Sequence, residues 1–144
     1  MAVTADYRGA RPIHPLFAFL LAAPVSLYLG GLLSDITYGN TFEPQWANFA
    51  SWMIAGAMVF TGLGLLWAFI ALFVVRPRWA WGWRLLCFLL LLATFILGLI
   101  DSFVHAKDAY AIMPAATILS LIVTLVAMLA AAVGLSTLRM GDVK

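Results

Sequence analysis

Four long apolar runs, divided by short polar connections, organise this chain. Their limits fall near residues 14–37, 46–75, 84–104 and 114–138. A helix rising about 1.5 Å per residue needs roughly 20 residues to cross about 30 Å of hydrocarbon, and every run meets that length. Lipid supplies no hydrogen-bond partners, so each run must satisfy its own backbone groups, which requires helices. Short connections place sequential helices side by side and antiparallel. The expected fold is therefore all-α, a single four-helix integral membrane bundle over residues 1–144.

Local breaks modulate that picture. The second run would extend about 45 Å if helical throughout, so it must tilt, bend or project from the bilayer, with Gly56, Gly62 and Gly64 as expected flex points. Pro24 removes a backbone donor and crowds the Leu20 carbonyl, so a kink between these residues is expected. Ala116, Ser120, Thr124, Ala127, Ala131 and Gly134 recur in steps of four and three along the last run, a strip of small side chains suited to helix packing. Gly30 and Ser34 offer a shorter patch on the first.

Composition agrees with a bilayer environment: 65% of residues are apolar or aromatic and only 10% are charged, with a mean hydropathy of +1.06. Charge adds an orientation. Arg8 and Arg11 precede the first run, Arg76, Arg78 and Arg84 lie between the second and third, and Arg139 and Lys144 follow the fourth, whereas the other two connections carry only Lys107. Cytoplasmic flanks retain cations, so both termini and the middle connection should face the cytoplasm. Because these cations are topogenic, the net charge of +2 argues for no nucleic-acid partner. The apolar stretch 16–33 exceeds a signal-peptide core, so no cleaved leader is expected there. Cys87 stands alone and is read as a small buried side chain, which excludes an intrachain disulfide.

The middle connection alternates Arg with Trp79, Trp81 and Trp83; with His14, these indoles are expected to anchor the helices among lipid head groups. Tyr38, Trp46 and Tyr110 would form the opposite belt. The informative polar residues, Asp35, Glu43, Asp101, His105 and Asp108, all fall toward the outer face. Asp101, His105 and Asp108 share one helical face by their spacing of four and three. Ionisable groups at membrane depth face protein or water. The cluster reads first as a structural polar network, with partner contact, proton relay or metal binding as alternatives. No closed metal motif, phosphate loop or nucleophile triad accompanies it, so neither a catalytic residue nor a metal site is assigned. The two histidines begin the first run and follow the third, hence lie about 30 Å apart, which excludes one haem held by both within a chain.

Several of these residues carry a family resemblance. Ile13-His14-Pro15-Leu16, Asp35 closing the first run, the glycine-dotted residues 52–66 and the pattern over 119–141 resemble the bacterial membrane family called domain of unknown function 2231. The second histidine and proline that members commonly carry after the first His-Pro are replaced here by Phe17-Ala18-Phe19-Leu20-Leu21. The resemblance implies association with periplasmic oxidoreductases, including sorbosone-type sugar dehydrogenases that use pyrroloquinoline quinone. On that basis the expected role is a non-catalytic inner-membrane accessory or anchor subunit meeting a larger protein or a second copy through its outer rim. The alternatives are a small transporter or proton-conducting protein using Asp35, Asp101 and His105, and an electron-transfer protein holding haem or quinone; no cofactor is assigned.

Overall fold

The computed structural model describes residues 14–74, 81–107 and 111–136. Arg8, Arg11, Arg76, Arg78, Trp79, Asp108, Tyr110, Arg139 and Lys144 lie outside the described residues. Four helices account for nearly all of the rest: α1 (Pro15–Thr41), α2 (Pro44–Val74), α3 (Trp81–His105) and α4 (Ala115–Ser136). Each is long and apolar enough to cross a membrane. They pack in a ring, α1 on α2, α2 on α3, α3 on α4 and α4 on α1, so α1 faces α3 across the bundle axis and α2 faces α4. We call the end holding the α1–α2 and α3–α4 connections distal, and the end holding His14 and Ser136 proximal.

The boundaries follow from local chemistry. His14 caps α1: its Nδ1 accepts the Leu16 N–H at 3.3 Å, and Pro15, which has no N–H to leave unpaired, occupies the first turn. The helix continues unbroken through Pro24. It also runs four residues beyond the expected end at Thr37, and the polar side chains there bond back onto their own helix. Thr37 Oγ1 donates to the Leu33 carbonyl at 2.8 Å, Asn40 Nδ2 to Ile36 at 2.9 Å and Thr41 Oγ1 to Thr37 at 2.9 Å. Phe42 then turns into the left-handed region at φ 54°, its N–H donating to the Tyr38 carbonyl, and Pro44 opens α2.

At the proximal end α3 begins at Trp81, not Arg84, so Trp81 and Trp83 belong to the helix and not to the connection. Trp81 stays half exposed. Trp83 turns inward and donates its indole N–H to the Val133 carbonyl of α4 at 3.0 Å, a bond between helices in place of one to a head group. Trp83→Phe should cost about 1 kcal/mol of stability in detergent unfolding, the usual net worth of one hydrogen bond.

Inside, large and small side chains interdigitate in three layers. Leu21, Ala68, Cys87, Leu91, Ala130 and Ala131 fill the proximal layer, Tyr28, Ile54, Ala57, Val123 and Ala127 the middle, and Tyr38, Ala47, Ile112 and Ala116 the distal. All six small residues of the α4 strip are buried against the other helices. A Cβ at Gly134 would fall 2.5 Å from Leu21 Cδ1 and 3.2 Å from Cys87 Sγ. The α2 glycines also lie at contacts within a continuous helix: an added Cβ would stand 3.5 Å from Leu27 at Gly56, 3.3 Å from Phe95 at Gly62 and 3.5 Å from the Leu20 carbonyl at Gly64. In lipid, where apolar burial gains little, such close approach is what holds helices together. The outward surface is correspondingly apolar, with Trp52, Val59, Leu66 and Phe73 on α2 all exposed, as a bilayer environment requires.

Candidate functional site: a buried acid, imidazole and hydroxyl cluster

Asp35, Asp101, His105 and Ser120 meet on the bundle axis near the distal end. Asp101 and His105 are one turn apart on α3, Asp35 comes from α1 across the axis, and Ser120 comes from the small-residue strip of α4. His105 Nε2 lies 2.8 Å from Asp35 Oδ1. Its Nδ1 lies 3.0 Å from the Asp101 carbonyl and 3.3 Å from Asp101 Oδ1. The ring N–H is directed at the carbonyl, so Oδ1 sits in ion-pair range without a hydrogen bond of its own. Ser120 Oγ stands between the carboxyls, 2.5 Å from Asp35 Oδ2 and 3.2 Å from Asp101 Oδ2. Both aspartates are fully buried and the His105 side chain is 2% exposed.

The cluster has an open side and a closed one. An open cleft of about 190 Å³ at the distal end is lined by Pro44, Ala47, Asn48 and Ser51 of α2, by His105, and by Lys107 and Ile112 of the α3–α4 connection. Toward the proximal end the remaining buried hydroxyls are turned onto their own helices: Thr61 donates to the Ala57 carbonyl at 2.8 Å, Thr94 to Leu90 at 2.8 Å and Thr124 to Ser120 at 2.6 Å. The Tyr28 hydroxyl lies 3.3 Å from Met58 Sδ. Beneath them the proximal apolar layer fills the axis. A smaller proximal cavity of about 50 Å³, lined by Phe17, Ala68, Ala71, Arg84, Cys87 and Gly134, lies at the far end of the bundle from the cluster.

Of the polar residues singled out in the sequence, the fold gathers Asp35, Asp101 and His105. Glu43 stays exposed in the α1–α2 connection, where its Oε2 accepts from Gln45 Nε2 at 2.9 Å, and Asp108 lies outside the described residues. One member came from elsewhere, and one buried polar group stands apart from the cluster. Ser120 looked like one more small residue of a packing strip, although its depth was readable: it sits five residues inside the distal start of α4, much as Asp101 and Asp35 sit four and six from the distal ends of α3 and α1. Tyr38, expected in an interfacial belt, is fully buried, and its hydroxyl has no hydrogen-bond partner among the described residues. Among the described residues no group of three or more His, Cys, Asp or Glu is disposed to hold a metal ion. Both ring nitrogens of His105 are committed within the cluster, which removes it as a haem ligand in this arrangement. His14 caps α1 at the opposite end and packs on Trp67, ring centres 5.2 Å apart.

The family described as predicted membrane protein (DUF2231) matches residues 10–142. The chain belongs to the DUF2231 family. That match takes in all four helices, so every member of the cluster falls within the DUF2231 region. No curated protein and no solved structure gives a significant match to this DUF2231 protein.

Proposed function

We propose that this DUF2231 protein is a non-catalytic accessory or anchor subunit of the bacterial inner membrane, with its termini in the cytoplasm and its distal end presented to a larger periplasm-facing partner. The observation that carries this reading is the division of the bundle: a polar cleft open at the distal end over an ionisable cluster, above an interior whose threonine hydroxyls are committed to their own helices. An intramembrane group held at such cost is a functional site by default. Proton conduction is less well supported, because a through-path needs hydroxyls free to reorient from one neighbour to the next. The cation asymmetry supports the orientation. A quinone-linked dehydrogenase is the first partner class to seek, on the strength of the family resemblance and not of geometry.

Native mass spectrometry after gentle extraction from membranes containing the full chain tests this reading. The expected result is an assembly of the 15.7 kDa chain with a larger protein, its yield lowered by Lys107→Glu at the cleft. Recovery of the chain alone under several mild detergents would overturn it.

A further inference from the structure

The distances within the cluster permit a count of its hydrogens. Four contacts each need one: His105 Nδ1 to the Asp101 carbonyl, His105 Nε2 to Asp35 Oδ1, and Ser120 Oγ to Asp35 Oδ2 and to Asp101 Oδ2. A neutral imidazole carries one N–H and a serine one O–H, whereas ionised carboxylates carry none. With both aspartates ionised and His105 neutral, two contacts would press lone pair against lone pair and the fully buried site would hold two negative charges. Two added protons fill all four contacts and bring the net charge to zero, the condition for placing such groups on the axis of a bundle in lipid.

Geometry also places those protons. Asp35 makes the two short contacts, 2.8 Å to Nε2 and 2.5 Å to the serine hydroxyl. An ionised carboxylate accepts on both oxygens at once, which is what these two contacts ask of Asp35. Asp101 makes the long one, 3.2 Å, and its Oδ1 has no hydrogen bond. That oxygen stands 3.3 Å from His105 Nδ1 but receives no hydrogen bond, and a buried carboxylate oxygen without one costs more than the carbonyl oxygen of a neutral acid. Among the described residues no second cation enters the cluster: the polar side chains that α2 gives the cleft are the uncharged Asn48 and Ser51, Lys107 lines the cleft, and Tyr28 of α1 lies within electrostatic reach of Asp101.

We propose that the cluster is a proton-binding site in which Asp101 holds a proton on Oδ2 directed at Ser120, beside an ionised Asp35 paired with a His105 imidazolium, and exchanges it with the distal aqueous side through the cleft that His105 lines. Release leaves an Asp101 carboxylate and a free proton. Ser120 keeps its single hydrogen on Asp35, so its oxygen then faces Asp101 Oδ2 with no hydrogen between them. Protonation therefore fastens α3 to α4 at the distal end, and release loosens that seam. This site stands independently of which partner, if any, meets the distal end.

Isotope-edited infrared spectroscopy of the full chain in phosphatidylcholine vesicles at neutral pH tests the assignment, with aspartate carboxyls labelled. One protonated-carboxyl stretching band is expected, shifted by deuterium exchange and lost in Asp101→Asn. Absence of the band from the parent protein, or its survival in Asp101→Asn, would overturn the assignment. Nitrogen NMR of a His14→Asn background, in which His105 is the remaining histidine, needs no change within the cluster. Both ring nitrogens are expected to carry protons, and a neutral imidazole would sink the proposal by itself.

Discussion

Asp35→Asn is expected to lower the unfolding free energy of the bundle by about 3–5 kcal/mol, the range seen when one partner of a buried ion pair is removed. The carboxylate receives the His105 Nε2–H on one oxygen and the Ser120 hydroxyl on the other. Asparagine can still accept from the imidazole through its carbonyl, but it brings no negative charge and turns an NH₂ toward an oxygen that itself has a hydrogen to donate. The imidazolium is then left buried without its counter-ion. Urea unfolding in micelles, followed by circular dichroism, measures the loss. Adding His105→Gln should cost less than the sum of the two single changes, since the stranded charge is removed with its partner. Glu43→Gln, on an exposed carboxylate two residues past the end of α1, should stay within about 0.5 kcal/mol of the parent. An Asp35→Asn protein as stable as the Glu43→Gln control would refute the buried ion pair.

Gly98→Ala should destabilise the bundle by about 1–3 kcal/mol, the cost of overpacking a filled core. The new methyl would collide with the Tyr28 hydroxyl, lie 2.6 Å from Met58 Sδ and come within 3.1 Å of Tyr28 Cζ. Met58 can shift along a flexible chain; Tyr28, rigid and fully buried, cannot do so without moving α1. Tyr28→Phe deletes the colliding oxygen and should recover part of the loss in the double variant, a sign opposite to that of two independent injuries. Gly82 supplies the contrast on the same helix: a Cβ there meets nothing within 4 Å, so Gly82→Ala should be neutral or gain up to about 1 kcal/mol of helix propensity. Equal losses at the two glycines would contradict the packing described for α3.

The architecture was readable because a bilayer leaves so few options: a run of apolar residues long enough to cross has to be a helix, and short connections make neighbours antiparallel. The ends were less so. The polar tail of α1 reads as a connection until Thr37, Asn40 and Thr41 are seen donating to carbonyls of their own helix. The packing role of the α2 glycines shows only once the side chains that lie against them are known. Asp101 and His105 announced each other by their spacing of one turn, but the bond from Asp35 to His105 joins residues 70 apart, and no local pattern specifies the rotation of one helix about its axis relative to another. Ser120 was hidden by its size: among alanines and a glycine a hydroxyl counts as small, and only the convergence of two carboxyls on it reveals its role.

The α1–α2 connection is only Phe42 and Glu43, while residues 106–114 join α3 to α4. The protein is thus two hairpins, with Asp35 in the first and Asp101, His105 and Ser120 in the second. Taken alone, the first hairpin holds an acid that nothing within it answers, whereas the second holds an acid and an imidazole of its own. Neither half is a finished membrane protein until the other docks. A chain that stalls before that docking carries a polar lesion in the lipid, a mark by which membrane quality control could tell an incomplete molecule from a complete one.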